Sequence, residues 1–135
     1  MDNNGFDKDK LIKYWIDDSE DDYDTMIVMY NSKRYYWALF AGHLMLEKLL
    51  KAYFVKAKFD YPPLIHNLLR LAEKSEIKLT NKRKEELITV TAFNINARYD
   101  DYKTSFKLKC TPEYTAEWIE KMEELRKWIK GLILQ

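Results

Sequence analysis

The chain has 135 residues, and its 23 lysines and arginines against 22 aspartates and glutamates give a net charge of +1. This balance excludes a strong nonspecific attraction of the whole protein to nucleic acid, while a local basic patch stays compatible with it. With only 3 glycines and 3 prolines and with 47% hydrophobic residues, the composition favours long helices in one domain, residues 1–135 with a core of about 8–133.

The cysteine count and the termini restrict the class further. The single cysteine, Cys110, excludes an intramolecular disulfide and a cysteine-based zinc cluster, and without a neighbouring base we expect it to be inert. The start MDNNGFDKDK lacks the apolar stretch of a signal peptide, and no segment reaches the ~20 apolar residues that span a bilayer. We therefore expect a soluble, cytoplasmic protein that does not enter a membrane.

The first half of the chain predicts two long helices. Apolar residues recur at three- and four-residue steps over about 8–31. A short break at Asn31-Ser32 follows, and Ser32 is a candidate cap for the second helix. The second helix contains the segment from Tyr35 to Val55, which is apolar on most of its circumference, and this is typical of a central helix with neighbours on most faces.

The second half predicts three more helices. Pro62-Pro63 forces an extended connection, and a short helix is expected over about 64–75, with an inner face formed by Leu64, Ile65, Leu68, Leu69 and Ala72. A fourth helix follows Thr80-Asn81 and ends near 97–99, residues 100–112 have the composition of a loop, and the last helix covers about 112–134. The prediction is an all-α, up-and-down bundle of four longer helices and one short helix.

The central helix carries a polar stripe of His43, Glu47 and Lys51, four residues apart and within roughly 80° of one another. On a buried helix these groups need partners, because an unsatisfied polar group costs about 1–3 kcal/mol. One interpretation is an interhelical site that binds a nucleotide, an RNA phosphate or a partner chain. The other is an internal Glu47–Lys51 ion pair with a satisfied histidine beside it, and the pattern alone favours this one.

His66, in the sequence Ile65-His66-Asn67-Leu68, is predicted to open the third helix. Its reference pKa near neutrality suits a proton donor or acceptor, while the alternative is a plain hydrogen bond at a helix N-terminus. The spacing of His43 and His66 matches no metal-ligand motif. We expect neither a metal nor a cofactor.

Arg98 follows an apolar helix and precedes two carboxylates, Asp100 and Asp101. It is suited either to a phosphate or to an internal ion pair with one of them. Behind it, the segment 102–109 combines basic and aromatic residues of the kind that attract phosphates and stack on bases, and these are Tyr102, Lys103, Phe106, Lys107 and Lys109. A solvated connection is the alternative.

Taken together, three segments resemble the HEPN family in order and spacing: His43-Leu-Met-Leu-Glu47-Lys48-Leu-Leu-Lys51-Ala52, Ile65-His66-Asn67-Leu68 after a proline-containing loop, and Ala97-Arg98-Tyr99-Asp100 at the end of the fourth helix. The resemblance spans about Leu11 to Ile129. It implies a small all-α domain that commonly forms homodimers with a polar cleft at the interface.

The resemblance also implies a range of functions. Some members are metal-independent ribonuclease toxins, often paired with a minimal nucleotidyltransferase as antitoxin, and others bind nucleotides or act as noncatalytic partners. The ribonuclease members carry an Arg, then four to six other residues, then a His. Arg98 matches the Arg, but the His position falls at Lys103, Thr104 or Ser105. The Arg98-Tyr99-Asp100 stretch resembles instead the Arg-Tyr-Pro branch, with Asp100 in place of the proline.

From the sequence we expect a noncatalytic HEPN domain that binds a nucleotide, RNA or a nucleotidyltransferase partner within a toxin–antitoxin-like pair. No catalytic residue is assigned. The candidate ligand contacts are Arg98, Lys51, His66, Glu47, His43, Tyr99, Asp100 and Tyr102. The alternative is a divergent endoribonuclease toxin in which His66 or His43 replaces the missing histidine.

Overall fold

The structure of the protein is a computed structural model that describes residues 5–135. These residues form six helices and no strand. In chain order the helices are α1 (Lys8–Asn31), α2 (Tyr35–Lys58), α3 (Leu68–Lys74), α4 (Asn81–Arg98), α5 (Asp100–Lys109) and α6 (Pro112–Leu134). The all-α prediction is confirmed, and the bounds of α1, α4 and α6 agree with those predicted.

Helix α2 is the centre of the bundle. It packs against α1, α6, α4 and α3 and also touches α5. Its buried positions occur on every side, which explains why apolar residues cover most of its circumference instead of a single stripe. At Gly42 a Cβ atom would lie 2.5 Å from the Met122 side chain, so α2 and α6 approach closely there.

Ion pairs and hydrogen bonds tie α1 to α6 along one side of the bundle. Glu20 of α1 accepts hydrogen bonds from Arg126 at 3.0 Å and from Lys130 at 2.7 Å. Tyr23 donates to Glu123 at 2.7 Å, and this bond is the main reason why the pKa of Tyr23 is raised. Most of the acidic residues of α1 outside these contacts are on the solvent side.

Two predicted boundaries are wrong. The third helix begins at Leu68 rather than at 64, because Asn67 is extended and its side chain caps the helix by accepting from the Arg70 N–H at 3.0 Å. Leu64 was predicted on the inner face and is 95% exposed. Ser32 does not cap α2 either; it ends α1, and Arg34 precedes α2 without a capping side chain.

The segment 100–112, predicted as a loop, is mostly helix. Asp100 and Asp101 occupy the first turn of α5, and Lys107 and Lys109 occupy its last turn. The charges at both ends therefore interact favourably with the helix dipole. Phe106 is the one residue of α5 that is fully packed into the core. Tyr99, in extended conformation, separates α4 from α5.

Candidate functional site

Glu47 connects three parts of the chain through its buried carboxylate. Its Oε2 atom accepts a hydrogen bond from Lys51 Nζ at 2.9 Å, and its Oε1 atom accepts from His66 Nδ1 at 3.0 Å. The side chains of Glu47 and Lys51 are 5% and 7% exposed. The Lys51 ammonium also lies 5.2 Å from the centre of the Trp15 ring of α1. The predicted ion pair therefore exists, but it is extended by a third residue from another segment.

His43 is fully buried one turn before Glu47. Its Nε2 atom lies 3.0 Å from the backbone oxygen of His66, so Nε2 carries the hydrogen and donates it. Burial is the main reason why the pKa of His43 is lowered, and the neutral ring is therefore favoured. Its other nitrogen, Nδ1, is buried without a hydrogen-bond partner in the described part of the chain.

The connector between α2 and α3 presents His66 to solvent. The backbone of the connector is fixed at its end, where the Leu68 N–H donates to Thr91 Oγ1 of α4 at 3.0 Å. The side chain of His66 is 68% exposed. Since Nδ1 faces Glu47, the Nε2 atom is the nitrogen that remains for a ligand or a proton. A carboxylate that orients an imidazole in this way is a common arrangement in acid–base sites.

Arg98 lies at the end of α4, close to this group. Its Nε atom donates to the backbone oxygen of Asn94 at 3.0 Å, and its guanidinium lies 5.3 Å from the centre of the Tyr99 ring. Its positive charge contributes to the lowering of the pKa of His43, so the two side chains share one electrostatic environment. Both Arg98 and Tyr99 are exposed.

The remaining sequence candidates lie outside the group around Glu47. Asp100 and Tyr102 belong to the first turn of α5, and both are exposed. Within residues 5–135 no ion pair joins Arg98 to Asp100 or Asp101, which the sequence had left open. The structure thus brings together His43, Glu47, Lys51 and His66, and Arg98 is near enough for its charge to act on His43.

The lysines of α5 have aromatic partners that sequence reasoning missed. Lys103 Nζ lies 5.7 Å from the ring centre of Tyr36 and 5.4 Å from that of Trp37, and Lys107 Nζ lies 5.2 Å from that of Tyr36. Phe106, which the sequence offered as a ring for stacking on bases, is instead buried against Phe93. No local spacing signals these contacts, because the start of α2 and α5 are far apart in sequence.

The chemistry of the site is that of charged and hydrogen-bonding side chains. In residues 5–135 no group of three potential metal ligands is close enough to hold an ion. Over the same residues no helix is long and apolar enough to cross a membrane. Burial raises the pKa of the Cys110 thiol to about 11, which agrees with the expected inert role.

A comparison with protein families identifies the fold. A family model described as "HEPN domain" matches residues 12–132, nearly the whole chain. The chain therefore belongs to the HEPN domain family, as the three motifs had indicated, and the family is all-α and generally related to nucleotides or RNA. Comparisons with curated proteins and with solved structures give no significant match.

Proposed function

We propose that this HEPN-family chain binds RNA, or a nucleotide, without cleaving it, and that Arg98 is the main phosphate contact. The observation that carries the proposal is that the Arg98 guanidinium is held in place but has no acidic partner in the described chain. Its Nε atom is anchored on Asn94, and no carboxylate of the described chain pairs with it, so its two terminal nitrogens are available. A planar guanidinium with two free nitrogens fits a phosphate bidentately.

His66 and Tyr99 complete the proposed ligand surface. The exposed His66 ring supplies a hydrogen-bonding nitrogen, and the Tyr99 ring is 53% exposed beside Arg98. Aromatic rings of this kind stack on bases, and each such contact is worth about 1–3 kcal/mol. Glu47 and Lys51 are buried and do not contact the ligand in this proposal. Glu47 holds His66 through its carboxylate, and Lys51 holds Glu47.

The noncatalytic part of the proposal rests on what stands where the family's histidine is expected. Lys103, Thr104 and Ser105 form part of α5, and the Lys103 ammonium lies against the rings of Tyr36 and Trp37. None of these three side chains is an imidazole that exchanges a proton near neutral pH. Binding of a labelled RNA to the wild type and to an Arg98→Gln variant tests the proposal.

The second candidate function is metal-independent RNA cleavage, and the contact between Glu47 and His66 favours it. With Nδ1 held by the carboxylate, His66 Nε2 is oriented to take a proton from a ribose 2′-OH, and Arg98 would stabilise the phosphate. Incubation of purified protein with RNA in EDTA tests this function. Cleavage that is lost in both Arg98→Gln and His66→Gln variants would replace the noncatalytic proposal.

The proposed assembly is a homodimer through the outer face of α4. Ile88 and Ile95 lie on this face seven residues apart and are 55% and 46% exposed. A repeated exposed apolar face is typical of a surface that another chain covers. A second copy on this face would bring two Arg98 residues towards one shared cleft.

A minimal nucleotidyltransferase remains the proposed partner, in a toxin–antitoxin-like pair. The family relationship supports it, since HEPN proteins are often encoded beside such enzymes. Coexpression of the chain with the product of its neighbouring gene, followed by copurification, tests this part. Growth that is inhibited by the chain alone and restored by the neighbour would favour the toxin alternative.

A further inference from the structure

A second basic surface lies at the opposite end of α5 from Arg98. There the first turn of α2, Lys33, Lys107 and Cys110 line a cavity of about 250 Å³. We call this the α2 cavity. Its volume is below the roughly 300–1,000 Å³ of sites for complete small-molecule ligands. It suits a phosphate group with part of the chain that carries it.

The α2 cavity is positively charged without compensation. Lys33, Arg34 and Lys107 line it, and no carboxylate does. Lys103 lies one helical turn before Lys107, and in the described residues none of these four cations takes part in an ion pair. Like charges gathered without a counterion repel one another, so an anion that enters between them is attracted from solution.

The backbone and the aromatic rings reinforce this charge. The N-terminus of α2 has no capping side chain, so the N–H groups of its first turn need another acceptor. The rings of Tyr36 and Trp37 lie under the ammonium groups of Lys103 and Lys107 and hold them near the cavity. Lys103 and Lys107 are therefore positioned before any ligand arrives, which lowers the entropy lost on binding.

One face of α5 joins the α2 cavity to Arg98. Tyr99, Lys103 and Lys107 follow one another at four-residue steps and so form one row, about 12 Å long. The carboxylates of this helix are confined to its first turn, at Asp100 and Asp101. A chain with regularly spaced negative charges can thus contact Arg98 at one end of the row and the cavity at the other.

We propose that the α2 cavity binds a backbone phosphate of single-stranded RNA whose neighbouring nucleotides run along α5 to Arg98. This inference rests on the proposed RNA binding at Arg98 and extends it to an oligonucleotide ligand. The exposed Tyr99 and Tyr102 rings lie along α5, and such rings stack on bases that are not paired. A single strand offers both regularly spaced phosphates for the cations and unpaired bases for the tyrosine rings.

The test compares variants in their binding of a fluorescein-labelled octauridylate, measured by fluorescence anisotropy. The cavity variant is Arg34→Gln/Lys107→Gln. Its matched control is Arg83→Gln/Lys127→Gln, which removes the same two types of cation; Arg83 is near the start of α4, about 22 Å from Arg98 along that helix. Thermal melts followed by circular dichroism establish that all variants are folded.

We expect the cavity variant to bind the strand about tenfold more weakly than the control. Its dependence on salt should also be less steep, by about 0.7 in the log–log slope for each phosphate that the variant no longer neutralises. Equal affinities of the cavity variant and the control, with Arg98→Gln still impaired, would overturn this inference alone. No binding by the wild type would overturn the proposed function as well.

A further measurement separates a strand from a small anion. If uridine 5′-monophosphate or inorganic phosphate raises the melting temperature of the wild type but not of the cavity variant, while the two bind octauridylate equally, the cavity is a small-anion site. That result contradicts the assignment to RNA. Equally tight binding of blunt double-stranded RNA would contradict the single-strand assignment.

Discussion

The Glu47 carboxylate and the His66 ring are in direct contact across two segments, with 3.0 Å between Oε1 and Nδ1. Glu47 is buried in α2, whereas His66 is exposed on the connector that leads to α3. The contact therefore fixes the geometry of a surface group from inside the bundle. In the proposed function, the polar stripe of α2 therefore supports the ligand surface as well as the fold.

Glu47→Ala should destabilise the fold by about 3 kcal/mol, because it leaves the buried Lys51 ammonium without its partner and releases His66. Urea unfolding measures the change. Glu73→Ala, at an exposed site on α3, is the matched control and should change the free energy of unfolding by less than about 0.5 kcal/mol. Equal effects of the two substitutions would show that the Glu47 group does not stabilise the fold.

His43 should make the stability depend on pH. Its pKa is lowered in the folded protein, mainly by burial, so the unfolded chain binds this proton at a higher pH than the folded chain. Stability is then retained above about pH 6.5 and lost as the pH falls below it towards the lowered pKa. The loss of urea resistance from pH 7.5 to 5.5 should be smaller in His43→Gln, which keeps a side-chain N–H for the His66 carbonyl. An equal loss of urea resistance in the wild type and in His43→Gln would show that His43 is not the source of the pH dependence.

Two glycines in helices should respond to alanine in opposite directions. At Gly42 the new Cβ would lie 2.5 Å from the sulfur of the fully buried Met122, and we expect a loss of about 1 kcal/mol from overpacking, net of the better helix propensity. At Gly131 nothing lies within 4 Å, so the gain in propensity should raise stability by up to about 1 kcal/mol. Thermal melts measure both, and a stabilising Gly42→Ala would refute the close approach of α2 to α6.

Ile95→Lys should convert the proposed homodimer to a monomer, because it places a charge on the apolar face of α4. Light scattering coupled to size-exclusion chromatography measures the mass. Val28→Lys makes the same type of change at a site on α1 that is 60% exposed, and it should leave the mass unchanged. A wild type that is monomeric at high concentration would refute this interface.

The sequence predicts the all-α fold and the central position of α2 because apolar periodicity over long segments reflects burial directly. It does not predict α5, since a helix of 10 residues with only Phe106 buried carries no periodic signal. The start of α3 at Leu68 depends on contacts of His66 with α2, which lie beyond any local pattern.

The candidate site was predictable only in part, because contacts between segments that are distant in sequence leave no local pattern. His43, Glu47 and Lys51 are on one helix, and their four-residue spacing is sufficient to place them together. The approach of His66 to Glu47 results from the path of the connector after Pro62-Pro63. The contacts of Lys103 and Lys107 with the start of α2 depend on how α5 packs, and no pattern in either segment encodes it.

The most direct test of the central claim is the affinity of the protein for single-stranded RNA, compared between Arg98→Gln and Arg83→Gln. Both variants lose one arginine from α4, but only Arg98 lies beside Tyr99 at the proposed ligand surface. We expect the first variant to bind RNA at least tenfold more weakly than the wild type and the second to bind within twofold of it, with the RNA left intact in EDTA. Equal binding by the two variants, or RNA cut by the wild type, would contradict the proposal.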